Sequence, residues 1–193
     1  KYMRVMGNRS AAAFDTEDSA ELAYWMKNVM PYTEGNDGNV RWWRMKGAGQ
    51  NWNNDLPPAR FIKMTTYNLK RDNSSDFFRF WRNNVKLQKS LGYTGASGVF
   101  MLESGGQAYQ VMEVEGYNSH AEGKGAFKNH DVNYVEEYNK MFGWRSHRND
   151  QAAFNASIEQ WGIIVETAEL KPEMSSKLKV SRLNSLSLET TKP

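Results

Sequence analysis

Residues 98–120 read GVFMLESGGQAYQVMEVEGYNSH. Two apolar runs flank Ser104-Gly105-Gly106, and glycine, lacking a Cβ, tolerates the positive φ of a tight reversal. The pattern predicts a hairpin of SGVFML (97–102) and AYQVMEVEG (108–116). Side chains alternate along a strand, so Glu113 and Glu115 share a face with Tyr109 and Val111. Two carboxylates on one face of a half-buried strand need a reason. In one reading the strand leaves the core there, and the carboxylates are solvated or paired with cations from a neighbour. In the other they line the rim of a cavity, where mutual repulsion raises one pKa and creates an acid–base pair. Glu103 stands across the turn from them.

Working outward, FIKMTTYNLK (61–70) has the β-branched and aromatic content of a strand. Asn73 then reads as an N-cap with Asp76 three residues on, in the manner of a capping box. The helix DFFRFWRNNVKLQKSL (76–91) puts Phe77, Phe80, Trp81, Leu87 and Leu91 on one broad face. Gly92 suits the position after its end. Beyond the hairpin, residues 117–149 are polar, aromatic and rich in Asn. Within them NYVEEYNKMF has helical spacing at Val132, Val135, Tyr138 and Phe142. DQAAFNASIEQW (150–161) predicts a further helix capped by Asp150, with Ala153, Phe154 and Ile158 inward. WGIIVETAEL (161–170) predicts a last strand.

From 61 to 170 the order is strand, helix, strand, strand, helix, strand. The fold class expected is α+β, a ferredoxin-like βαββαβ antiparallel sheet with its helices on one face. The uncovered face would need a second domain or a second chain. Upstream, YMRVM (2–6), DTEDSAELAYWMKNVM (15–30) and VRWWRMKG (40–47) read as strand, helix and strand. The helix has acidic residues at its start, as its dipole favours, and a stripe of Leu22, Trp25, Met26 and Val29. GAGQNWNNDLPP (47–58) has the turn residues of a linker. Residues 1–58 therefore read as half of a ferredoxin-like repeat, 59–171 as a complete unit, and 172–193 as a Ser/Lys-rich tail.

Bulk properties narrow the classes. The 193 residues are enough for one large or two small cores. Aromatics at 13% imply burial built on rings. A mean hydropathy of −0.76 and no long apolar run speak against a membrane-spanning helix. With no cysteine there is neither a disulfide nor a thiolate nucleophile. Net charge is only +3. The chain begins with Lys1, which reads as a processed or truncated start; no targeting segment is visible and the sequence assigns no compartment. No phosphate loop, nucleophile elbow, HExxH or EF-hand pattern occurs.

Element order and Tyr/Trp/Met-rich strands together resemble the dimeric α/β-barrel superfamily over roughly residues 60–170. That group includes antibiotic-biosynthesis-type and haem-degrading monooxygenases, chlorite-dismutase-like proteins and stress-responsive barrels. The resemblance implies a homodimer, a small-molecule pocket beside the sheet, and either cofactor-independent or haem-related monooxygenase chemistry. The haem-degrading branch uses an Asn on its first strand, and Asn68 matches it. The same branch has a Trp near the end of its third strand and a His on the following helix. Here that strand ends Glu115-Gly116-Tyr117, and His120 and His130 follow out of register.

Of the three histidines, His147 sits in GWRSHRND (143–150), the most compact mixture of reactive types. An imidazole titrates near neutral pH and suits a general base. The candidate catalytic residues are His147 and Asn68; candidate ligand-binding residues are Tyr67, Trp144, Arg145, Glu113 and Glu115. The histidine spacings match no zinc pattern, and no metal is expected. Alternating basic and aromatic residues in VRWWRMKG could stack bases, but Glu113 and Glu115 occupy the strand that an RNA-recognition sheet makes basic. Nucleic acid is thus disfavoured as a partner. The alternative to an enzyme is a non-catalytic stress-response or binding module that dimerises through its sheet face.

Overall fold

The computed structural model describes residues 19–34, 40–52, 58–107, 109–121, 127 and 131–172. The chain divides into two units, 1–39 and 40–193. In the first, α1 (Ser19–Asn28) is followed by a 3₁₀ turn at Met30–Tyr32, with Pro31 inside it. The expected strand at 2–6, the acidic start of the first helix and the tail beyond 172 lie outside the described residues.

The second unit is α+β. Its strands are β1 (Arg41–Arg44), β2 (Phe61–Leu69), β3 (Ala96–Ser104), β4 (Gln110–Tyr117) and β5 (Ile158–Glu169). They form one antiparallel sheet in the order β1-β3-β4-β2-β5. Its helices are α2 (Ser74–Ser90), α3 (Tyr134–Phe142) and α4 (Ser146–Ala156). The last strand starts three residues earlier than the sequence pattern predicts, because the chain turns at Ser157 instead of extending the helix to Trp161.

One ring locates the helices. Tyr67 of β2 meets Phe77 and Trp81 of α2 and Phe154 of α4 at centroid distances of 5.2, 5.9 and 5.9 Å. Both helices therefore lie on the face that Tyr67 projects from. The core there gathers Leu69, Val99 and Val111 from the sheet, with Phe77 and Ile158. Full burial of a ring such as Phe77 is worth roughly 2–3 kcal/mol. α3 packs on α2 and α4, carrying the fully buried Tyr138.

The opposite face is not bare at its centre. There Met64, Val114 and Gly98 stand side by side in the β2–β4–β3 register, and Met64 and Val114 are buried. Trp52 lies on Gly98, so closely that a Cβ at that position would sit 2.9 Å from the indole. Trp52 also meets Phe100 edge-on. Among the strands, the exposed apolar side chains are instead concentrated on β5, where Trp161, Ile163, Ile164 and Val165 are all exposed.

Three local expectations are corrected. The β3–β4 connection is longer than a tight turn: the ladder ends at Met101–Val111, and β3 runs on to Ser104 against Arg41 of β1. Asn73 does precede α2, but its side chain makes no capping bond: the Asp76 N–H donates to the Asn73 backbone carbonyl at 3.1 Å, and the Asp76 carboxylate pairs with Arg79. Asp150 lies within α4, not before it; the residue preceding that helix is Arg145, in a left-handed conformation at φ 57°.

Candidate functional site

β4 is the middle strand, and it turns Val111, Glu113 and Glu115 toward the helices. The register sets Glu113 between Thr65 of β2 and Val99 of β3, and Glu115 between Lys63 and Ser97. Tyr67 follows on the same face of β2. Lys63 Nζ is 3.6 Å from the Glu115 carboxylate, the two side chains being 26% and 15% exposed. Thr65 and Ser97 are buried. Burial, reinforced by the charges of Glu113 and Glu115, pushes the Tyr67 hydroxyl well above the usual phenol range.

The arrangement is an acidic floor with one ammonium, one phenol and a threonine hydroxyl around it. Such a set accepts hydrogen bonds from an amine or a polyol, and its carboxylates can take up a proton beside a phenol that stays neutral. The alternation that put Glu113 and Glu115 on one face also brings Tyr67 to them. Tyr109 does not join them: it stands before the strand at φ 65°, with the Arg71 guanidinium 6.0 Å from its ring. Glu103 pairs instead with Arg41 of β1 at 3.7 Å.

The other sequence-selected residues are dispersed. Asn68 projects from the opposite sheet face, where its side-chain oxygen accepts a hydrogen bond from Gln110 Nε2 at 2.7 Å. His147 is in the first turn of α4, its ring among Tyr138 (5.1 Å), Phe80 (5.9 Å) and Tyr134 (6.3 Å). Its backbone N–H donates to Asn139 Oδ1 at 3.0 Å. Trp144 and Arg145 form the exposed corner between α3 and α4, with the guanidinium 4.0 Å from the indole centroid. The structure therefore unites Tyr67, Glu113 and Glu115, and separates Asn68 from His147 by the thickness of the sheet.

A second polar cluster escaped the sequence reading. Asp150 accepts from Arg79 Nε (3.1 Å), Asn83 Nδ2 (3.2 Å) and the Tyr138 hydroxyl (2.8 Å), tying α4 to α2 and α3. Tyr134 donates to Asn84 at 2.6 Å nearby. Arg79 and Asn83 are one helical turn apart, and that polar stripe beside the aromatic face of α2 was the available signal.

Two shallow surface clefts accompany these features. One, of about 430 Å³, is lined by Asn51, Lys89, Gly92, Tyr93 and Thr94. The other, of about 420 Å³, runs along Asn155, Ile158 and Glu159–Ile163. Neither is lined by a histidine: His147 is packed among rings, and His120 lies against Phe61 at 4.3 Å and Tyr117 at 5.4 Å. These residues do not fit a haem held through an imidazole, and His130 lies outside the described residues. Among the described residues no group of three His, Asp or Glu could hold a metal ion, and no helix is long and apolar enough to cross a membrane.

No protein-family model matches the chain. No curated protein matches it. Among solved structures, two crystal structures of one Agrobacterium tumefaciens protein align with it, one of them described as a NipSnap family protein with unknown function. Identity is 17% in both; the alignments cover 58% and 61% of this chain and 92% and 91% of that one, with TM-scores of 0.32 and 0.33. A likeness this loose carries no argument about function.

Proposed function

We propose that the chain is a small-molecule-binding α+β protein whose site is the acidic floor of β4, with Glu113 and Glu115 as acceptors, Tyr67 and Thr65 as orienting hydroxyls and Lys63 as counter-charge. The observation that carries this is the placing of two carboxylates on the middle strand, under the helical layer. Carboxylate oxygens accept hydrogen bonds from ammonium and hydroxyl donors, so a ligand carrying such donors is the chemical complement of this floor. In this reading residues 59–171 are a ferredoxin-like unit of the dimeric α/β-barrel type, and 1–58 a half-repeat whose strand β1 joins the same sheet beside β3.

The test separates function from scaffold. Glu113→Gln keeps the shape and removes a charge. If the carboxylate serves a ligand, the amines or polyols that raise the wild-type melting temperature no longer raise that of the variant. A wild type indifferent to every such compound, or a variant that responds as wild type does, overturns the reading.

The finer reading, a monooxygenase with Asn68 and His147 as catalytic groups, would have to use them one at a time, since they flank the sheet on opposite sides. Oxygen uptake with phenolic substrates, lost in Asn68→Ala or His147→Ala, is its test. The non-catalytic reading is favoured by the filled ring stack of Tyr67, Phe77, Trp81 and Phe154, which leaves the apolar half of that face to packing alone.

A further inference from the structure

Strand β5 is at the end of the sheet and pairs only with β2 among the described residues. Such edges are commonly blunted by lysine, proline or a very short strand. β5 has neither lysine nor proline and runs for 12 residues. Its middle is apolar on both faces: Ile163 and Val165 are 51% and 56% exposed on the helix side, and Ile164 is 47% exposed on the other. Between Leu69↔Ile158 and Tyr67↔Ile163 the ladder with β2 loses register, and residues 159–162 drop out of it. There Trp161 adopts φ 61°, a conformation costly for a large side chain, with 89% of its surface in water. Gly162 allows that bulge, because a Cβ there would lie 2.7 Å from the Glu159 carbonyl oxygen.

We infer that the outer edge of β5 is an interface between two copies of this chain, paired antiparallel about a twofold axis at Ile164. The sequence of the strand is complementary to itself in that register. Ile164 meets Ile164 of the second copy, Ile163 meets Val165, and Gly162 meets Glu166, so no carboxylate faces a carboxylate across 162–166. An isologous contact repeats each pairing twice, and apolar pairs directly opposed are the stabilising unit of such a ladder. Farther out the same register brings Glu159 toward Glu169 of the second copy, and the Arg60 (2.9 Å) and Lys171 (3.1 Å) cations gathered on Glu169 offset that pairing. Trp161 stands at the rim of the contact. This surface differs from the sheet face that the sequence pointed to, and it does not depend on the acidic floor of β4.

The chain has no cysteine, which permits a clean test. Sedimentation of the full chain should show a dimer. Ile164→Lys, which opposes two ammonium groups on the axis, should raise its dissociation constant ~100-fold or more, and Trp161→Ala by about 10-fold or more. Under mild oxidation Ile164→Cys should form a disulfide-linked dimer, whereas Val40→Cys, exposed but away from β5, should not. A monomeric wild type overturns the inference. So does a dimer that Ile164→Lys leaves intact and in which the two cysteine variants cross-link alike, since that dimer would use another surface. Circular dichroism of Ile164→Lys should match wild type; an unfolded variant shifts the decision to the cross-linking pair.

Discussion

Three tyrosine hydroxyls, those of Tyr67, Tyr134 and Tyr138, have pKa values raised above the usual phenol range, with burial the first cause in each. The sign of the consequence is fixed. An unfolded tyrosine ionises near pH ~10, so a raised folded value leaves stability intact below that pH and erodes it as pH climbs beyond. Urea midpoints should be flat from pH 8 to 9 and fall from 10 to 11. Tyr67→Phe should make that fall shallower; an unchanged slope would mean Tyr67 is not held neutral. Asp150 is the other telling residue, with three donors on one carboxylate. Asp150→Ala removes the acceptor shared by Arg79, Asn83 and Tyr138, leaving Arg79 with Asp76, and should cost about 2–4 kcal/mol in urea denaturation. Asp150→Asn, which keeps part of the network, should cost less. Neither role could be read from sequence, because each depends on which helices meet. Tyr67 beside Glu113 and Glu115 was half legible: strand period gave the shared face, and the β2–β4 pairing supplied the rest.

At the scale of elements, two helix starts offer a controlled comparison. Asn133 caps α3, its Oδ1 accepting the Glu136 N–H at 3.2 Å. Asn73 precedes α2 without a capping bond. Asn133→Ala should therefore cost about 1 kcal/mol, and Asn73→Ala less than about 0.3 kcal/mol, by equilibrium urea unfolding. Equal costs would show that the side chain of Asn73 does cap α2 in solution. The same contrast shows what sequence pattern can deliver. Strands β2 and β4 and helices α2 and α3 were legible because long apolar periods and punctuation by Gly and Asn agree there. The α4–β5 junction was not. DQAAFNASIEQW keeps helical spacing through Ile158, and only Lys70, donating to the carbonyl oxygen of Ala156 at 2.9 Å while its backbone N–H bonds the Ser157 carbonyl, shows where the chain leaves the helix for the sheet. These are contacts 86 and 87 positions away in sequence, beyond the reach of local patterning.

The sheet of the second unit is graded from centre to edge. β4 and β2 have partners on both sides, lie beneath the helices and carry the buried Met64 and Val114 on their other face, whereas β1 has four residues and β5 an outer edge with no described partner. Opening free energies should follow that grading. In native-state hydrogen exchange, amides of β4 and of the middle of β2 should be the slowest, and those of β1 among the fastest in the sheet. The edge of β5 adds a distinguishing feature, because in the inferred dimer a second copy covers outward amides that have no sheet partner among the described residues. Protection at Ile163–Glu166 should therefore fall on dilution through the dimer dissociation range, while β4 protection stays constant. If β5 and β4 lost protection together, association and folding would be one event, and the edge would belong to the cooperative core. If β5 exchanged at one rate at every concentration, the apolar run from Trp161 to Val165 would be bare in solution, and its exposure would need a partner of another kind.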